Sequence, residues 1–470
     1  MKVLYPLLLA SLLLAGCTSL TATPYQVPAV TLPAQWQGAA AADDGPISGD
    51  NWWQQFGDAE LNRLVALVLS RNNDLAAAAI KVQQAMLKAE LAATDLAPTP
   101  AFSLSSSASQ RLGGAAVNSQ THAASLSVSY EADLWGQLSH LRDAKVWEAR
   151  ATEQDRAASR LSLIGSTIKL YWKQAWLQQR LQLGAASVDY QQQALRLVLA
   201  KQQAGAAAQL DVLTVRQSLA SQQASLYDYQ QQLAETRNAL AILLDGPPLG
   251  VLTTASSLPQ QDLPDVPAGL PVQLLARRPD LRAAELRLRE TLANGDATRA
   301  SYYPDFSLTG SLGSSSSRLA QVLSNPLATL GAGLTLPFLQ VRQMKLNNSI
   351  SDADYQLAVV NFRQTLYTAL ADVENALAAR SHYQQQGQRL TLSAQLAGQS
   401  EQLYRLRYQA GAAALKDWLD AQETRRQAEV SLLENRYNRL LNQVTLYQAL
   451  GGDAQPHQLA AHDSAPGGGG

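Results

Sequence analysis

Asp417 and Asp420 stand three residues apart near the start of a long helical pattern, so both carboxylates fall on one helix face. On spacing alone such a pair is a solvated surface feature. Asp211 opens a similar pattern in the first half of the chain, and Tyr408 closes the one before Asp417. The chemistry open to these groups is electrostatic: carboxylates crowded in a narrow space attract cations and hold their protons more tightly. The five histidines (His122, His140, His382, His457 and His462) show no metal-ligand spacing. No phosphate-binding glycine loop, nucleophile elbow or zinc motif occurs. The residues therefore point away from an enzyme and call for no cofactor.

One nucleophile does have a context. Lys2 precedes an apolar stretch, Val3 to Leu14, followed by Leu14-Ala15-Gly16-Cys17. A basic start, a short apolar core and small residues before a cut describe a secretory signal. Cys17 at the cut marks a bacterial lipoprotein signal, in which the thiol accepts a lipid. Cys17 is also the chain's one cysteine, so no disulfide forms within it. Residue 18 is Thr rather than an inner-membrane-retaining Asp, which favours delivery to the outer membrane.

The elements that position these groups occur twice. Gln203-Ala204-Gly205-Ala206-Ala207-Ala208 returns as Gln409-Ala410-Gly411-Ala412-Ala413-Ala414, an offset of 206. The same offset carries Asp74-Leu75 onto Asp280-Leu281. A repeat this long is a duplicated half-molecule rather than a short-period solenoid. Around each copy the chain reads as long helices. Val212, Leu219, Leu226, Leu233 and Leu240 keep a seven-residue period. Gly205 and Gly411 are expected as the turn glycines joining antiparallel helices.

Two short zones in each half read as strands, at about 101–111, 122–134, 304–315 and 327–338. In the second, Leu126, Val128, Tyr130, Ala132 and Leu134 alternate with Ser125, Ser127, Ser129, Glu131 and Asp133. That is the period of a membrane barrel strand, apolar towards lipid and polar towards a wet lumen. Trp135, Tyr302 and Tyr303 at strand ends suit an interfacial aromatic belt or junction packing. No run after the signal is apolar enough for a membrane helix, so a crossing must be a closed β-barrel. Four strands cannot close a barrel with room inside, which makes the chain an obligate oligomer. The net charge of -1 and a charged fraction of 16% offer no basic field for nucleic acid.

The order of elements is therefore a signal over 1–16, a lipidated extended segment over 17–57, a first repeat over 58–245, a linker over 246–270, a second repeat over 271–452 and a disordered tail over 453–470. The lipid signal, Asn51-Trp52-Trp53-Gln54-Gln55-Phe56-Gly57-Asp58, and Arg277-Arg278-Pro279-Asp280-Leu281-Arg282-Ala283-Ala284-Glu285 followed by Tyr303-Pro304-Asp305-Phe306-Ser307-Leu308 together resemble the outer-membrane factor (TolC/NodT-type) lipoproteins. The resemblance implies a homotrimer, with a twelve-stranded barrel continued by a periplasmic α-helical barrel. It implies the exit duct of a tripartite efflux pump, with a periplasmic adaptor and an inner-membrane transporter as partners. A type I secretion duct and a lipid-anchored coiled-coil scaffold are the alternatives. It further implies that Asp417 and Asp420 ring the periplasmic constriction, and that Asp211 and Tyr408 form links that hold it shut. Where some members place an arginine in that lock, this chain has Ala413.

Overall fold

The computed structural model describes residues 21–37, 51–110, 118–247, 257–259, 263–264, 266 and 271–452. The signal and Cys17, most of the linker, the tail, His457 and His462 lie outside the described residues. The labelled elements run α1 (Ala59–Arg71), α2 (Asn73–Thr94), β1 (Thr99–Gln110), β2 (Asn118–Ala132), α3 (Gln137–Gln203), α4 (Gln209–Leu243), α5 (Pro279–Ala300), β3 (Asp305–Ser316), β4 (Leu327–Thr335), α6 (Val341–Gln409) and α7 (Leu415–Ala449). The second half repeats the first in kind: a helix, two strands, a helix of nearly 70 residues and one of 35. The chain divides into two compact units, and α2, α3, α5 and α6 each contribute to both.

The first unit holds the strands and the helical segments that join them. The four strands form one antiparallel sheet in the order β1-β2-β3-β4. The register aligns the alternation across every strand. Phe102 pairs with Leu126, Leu126 with Leu312, and Leu312 with Ala328, so one row of apolar side chains crosses the sheet. On the other face Ala101, Ser127, Ser311 and Thr329 form the neighbouring row. Directly opposed residues share a face, so the alternation along each strand becomes two continuous surfaces. The apolar one is open, with Phe102 71% and Leu330 91% exposed.

The strand ends differ from expectation at three points. Strand β4 stops at Thr335, and Pro337–Leu339 forms a 3₁₀ turn. Pro337 has no N–H to continue a ladder. Leu336 and Phe338 therefore leave the alternation. Strand β2 ends at Ala132, and Leu134 turns towards α3; the Asp133 carboxylate accepts from the N–H groups of Leu138 at 3.0 Å and Ser139 at 2.8 Å, capping that helix. Strand β2 also begins earlier than expected, at Asn118, so His122 lies within it, with its Nδ1 2.8 Å from the Ser106 hydroxyl.

In the second unit the aromatic motif near the N-terminus is a clasp. Trp52 is fully buried and stacks on Tyr447 of α7 at 4.7 Å; Phe56 meets Trp172 of α3 edge-on at 6.3 Å. Asp58 caps α1 through the N–H groups of Glu60 and Leu61, and its second oxygen accepts from the Tyr171 hydroxyl at 2.8 Å. The arginine motif works similarly. Arg278 grips Asp280 through Nε at 3.1 Å and Nη2 at 2.8 Å, then reaches Asp372 of α6 at 3.2 Å and the Ala449 carbonyl of α7 at 3.3 Å. That carbonyl belongs to the last turn of α7, where orphan acceptors favour a cation. Burial works against the guanidinium charge, and Asp280 and Asp372 outweigh it. Both sequence signatures thus hold the helix ends together.

Candidate functional site

The hairpin tips, in the second unit, are built twice to one plan. Helix α3 ends at Gln203, and Gly205 takes φ 75°; α6 ends at Gln409, and Gly411 takes φ 76°. After α3 the Ala206 N–H donates to the Lys201 carbonyl at 2.7 Å and the Gly205 N–H to that of Gln202 at 2.9 Å. After α6 the same pair runs from Ala412 to Arg407 at 2.8 Å and from Gly411 to Tyr408 at 3.1 Å. These are Schellman caps, which need a left-handed residue where glycine sits. Both glycines are the turn residues expected of them.

The next helix begins without a usual cap, because Ala208 and Ala414 have no side-chain acceptor. The third residue of each helix supplies the missing partner. Asp211 accepts from the Ala208 N–H at 3.0 Å, and Asp417 accepts from the Ala414 N–H at 3.3 Å. This is half of a capping box, with the carboxylate at the positive end of the helix dipole. Asp211 and Asp417 are therefore equivalent positions of the two repeats with the same local duty. Asp420 is exposed and lies 3.4 Å from the Lys416 ammonium one turn back. Such a surface pair contributes about 0.2–0.5 kcal/mol. Within one chain, Asp417 and Asp420 both stay in solvent.

Tyr408 is buried, 5% exposed, and stacks on Trp418 with ring centroids 5.3 Å apart. Both belong to a core that joins the two hairpins through Ala194, Val198, Val212, Val215 and Leu415. Burial raises the Tyr408 phenol above its usual range, and the charge of Asp211 adds to the shift. Asp211 thus reaches Tyr408 through its field while its carboxylate caps α4. The close partner of Tyr408 is a residue that the sequence reading missed. The Lys201 ammonium sits 3.8 Å from the centre of the Tyr408 ring and donates to the Tyr408 carbonyl at 3.0 Å. A cation over a ring face and on a helix C-terminal carbonyl is favoured twice. The available signal was a lysine in the last turn of α3, next to a tip. Ala413 is half-buried and brings no charge to the tip.

In the first unit, the strand-end aromatics pack. Trp135 stacks on Tyr303 at 4.9 Å and donates to the Pro304 carbonyl at 2.9 Å. The Tyr302 hydroxyl accepts from Asn347 at 2.7 Å. Among the described residues no cluster of three or more metal-ligating side chains is present.

A sheet apolar on one face and hydroxyl-lined on the other, joined to duplicated helical hairpins, defines a class of membrane channel. The sequence model of the outer membrane efflux protein family matches residues 64–246 and again 270–452, two copies offset by 206. The chain belongs to that family. It is an outer-membrane efflux channel protein with a helical periplasmic part. The pyoverdine export outer membrane protein OpmQ of Pseudomonas putida is 33% identical over 460 residues, covering 96% of this chain and 97% of OpmQ. Among solved structures, the channel CusC superposes with a TM-score of 0.83 at 28% identity, covering 92% of this chain and 99% of CusC. The open state of the outer membrane channel MtrE of Neisseria gonorrhoeae gives 0.80 at 26% identity, covering 93% and 98%.

Proposed function

We propose that three copies of this chain form the passive exit duct of a tripartite efflux pump. Each copy adds four strands to one twelve-stranded barrel, and the helical hairpins continue the duct through the periplasm. A periplasmic adaptor and an inner-membrane transporter are its partners, and the transporter supplies the energy. The duct performs no catalysis and carries no cofactor. The cargo class is small toxic compounds: drugs, dyes, solvents or metal ions. Relatives are named for the export of pyoverdine, of toxins and drugs, and of cations.

The observation that carries this reading is the exposed apolar face running across all four strands, from Phe102 through Leu126 and Leu312 to Ala328. Strands β1 and β4 leave two unpaired edges in one chain, and an open edge cannot face lipid. Closure therefore calls on further copies. A lipid on Cys17 fits the same placement. The Thr21 hydroxyl donates to the Trp135 carbonyl at 2.7 Å, just beyond β2. Four residues of chain reach at most about 14 Å from there. The hairpin tips form the periplasmic mouth. Three-fold repetition brings the exposed Asp417 and Asp420 into two carboxylate rings around it, while Asp211, Lys201 and Tyr408 hold the hairpins closed behind them.

Planar-bilayer recording of the purified protein, with chemical cross-linking of its oligomeric state, tests this reading. Small cation-selective currents from a trimer are expected. Leu126→Arg puts a charge in the centre of the apolar row and is expected to abolish insertion. Asp417→Asn with Asp420→Asn is expected to lower cation selectivity. A monomer without conductance would sink the duct and favour a periplasmic scaffold.

A further inference from the structure

A buried charge joins the two hairpins above the tips. Glu401 of α6 is 3% exposed. One carboxylate oxygen accepts a hydrogen bond from the Tyr190 hydroxyl of α3, and from the Trp418 indole N–H of α7 at 3.1 Å. The same indole N–H lies 3.0 Å from the Tyr190 oxygen. The other carboxylate oxygen accepts from Arg425 of α7 at 3.3 Å. Arg425 reaches outward to Glu429 at 2.9 Å and remains 43% exposed, so its outer side is wet. Next to this group, Gln191 of α3 donates to Gln422 of α7 at 3.2 Å, both buried.

The duplication does not repeat this group. At the offset of 206, Tyr190 corresponds to Leu396, Glu401 to Leu195, Trp418 to Val212 and Arg425 to Leu219. The same four places in the other repeat are all aliphatic. Leu396 is 56% exposed, so these places form no matching buried contact within one chain, and the polar group belongs to one repeat alone. Replacing a buried ion pair by well-packed apolar residues is often neutral or stabilising. What the charge changes is the separated state. Parted aliphatic surfaces stay in water at a cost that grows with area, whereas the Glu401 carboxylate, once Tyr190 of the other hairpin leaves it, recovers hydration and keeps Arg425 of its own hairpin. A polar contact is thus easier to open and close than an aliphatic one, and Tyr190 is the residue of the group that reaches across from α3, to Glu401 and to Trp418.

We infer that Tyr190, Glu401, Trp418 and Arg425 form a reversible latch between the two hairpins, which holds the mouth closed and releases by letting water reach Glu401. The inference rests on the reading of the chain as a duct with a mouth at the tips. Its residues are positioning residues: none of them need touch cargo.

The test is single-channel recording in planar bilayers of the full-length protein, with vancomycin sensitivity of cells carrying it as a second readout. Tyr190→Phe deletes one hydroxyl. Losing one hydrogen bond to a carboxylate shifts the closed-to-open ratio by about tenfold. Mean conductance and vancomycin sensitivity should rise, with the trimer intact. The repeat-matched pair Glu401→Leu with Arg425→Leu should act in the opposite direction, giving a folded trimer with lower conductance than wild type. Opposite signs from two variants of one contact would not arise from general loosening. If both variants alter only thermal stability, with wild-type currents, the group is a static staple and the latch is refuted. Conductance absent from the wild type itself would overturn the duct, and the latch with it.

Discussion

Acids in this chain act by where they are held. Asp211 and Asp417 cap helices, Asp280 and Asp372 anchor Arg278, and Glu401 is enclosed by donors from two hairpins. Glu290 of α5 is the exception. Burial, then a hydrogen bond that the protonated Glu290 donates to Glu148 of α3 and the charge of Glu148, push its carboxyl up to about 7; Lys145 and Arg287 oppose the shift. Arg287 is itself engaged by Asp155, at 3.2 Å through one of two bonds. The two carboxyls behave as a pair sharing one proton. The folded-state value lies above the unfolded one, so the folded chain binds the extra proton between about 4.5 and 7. This contribution is whole below that window and is lost as pH rises through it. Glu290→Gln should flatten the pH dependence between pH 5 and pH 8, keeping near-acid stability at high pH; melting curves across that range measure it. A variant with the wild-type slope would remove Glu290 from the linkage. Almost none of this was legible in the sequence. Asp417 with Asp420 drew attention by spacing, whereas Glu290 and Glu401 lie in helices full of polar residues, and only packing separates them from the solvated ones. Lys201 was hidden in the same way, since its ring and carbonyl partner lies 207 positions away.

Among the elements, the helices and their tips were readable because their causes are local. Heptad leucines and valines mark a buried stripe, and Val212, Leu233 and Leu240 are buried in α4. A glycine after a helix marks a Schellman cap, and both predicted turn glycines adopt one. Gly205 and Gly411 are held by backbone alone, since a Cβ at either would meet nothing within 4 Å. Gly205→Ala and Gly411→Ala should therefore cost about 1–2 kcal/mol each, the left-handed penalty of an L-residue, without a steric clash. Amide hydrogen exchange at Gly205 or Gly411 and the alanine after it should speed up, while the α4 and α7 interiors stay protected. Unchanged exchange would mean that the turns relax to another geometry at no cost. Strand ends were less readable, because alternation runs past the ladder. Leu336 and Phe338 keep the parity of β4 in the sequence past Thr335, but the paired residues stop at Asp305 with Thr335. Periodicity reports which side a residue faces; it does not report where a neighbouring strand ceases to pair.

On the scale of the whole molecule, the duplication explains what one chain can and cannot close. Two hairpins share a core at the tips, yet Leu210, Leu213, Leu403 and Leu406 near them stay exposed. The sheet is open too: among the described residues β1 pairs with β2 and β4 with β3, and each leaves its other edge unpaired. Each edge exposes a row of backbone donors and acceptors that hydrocarbon cannot satisfy, at a cost of several kcal/mol per group. In a closed barrel β1 of one copy must meet β4 of the next, a heterologous contact that repeats around a ring. Cysteines placed singly on β1 at Ser103, Ser105 or Ser107, combined with one on β4 at Thr329, Gly331 or Gly333, should form disulfides between copies for the pairs that fall in register. Adjacent strands bring opposed Cβ atoms to about 4.5–5.5 Å, within the span of a disulfide. Under the proposed lipidation the Cys17 thiol is blocked and does not compete. On non-reducing gels the matched pairs should run as closed trimers, and neighbouring pairs one step out of register should not. A set in which every pair yields only monomers would place β1 and β4 apart, and the barrel would have to close some other way.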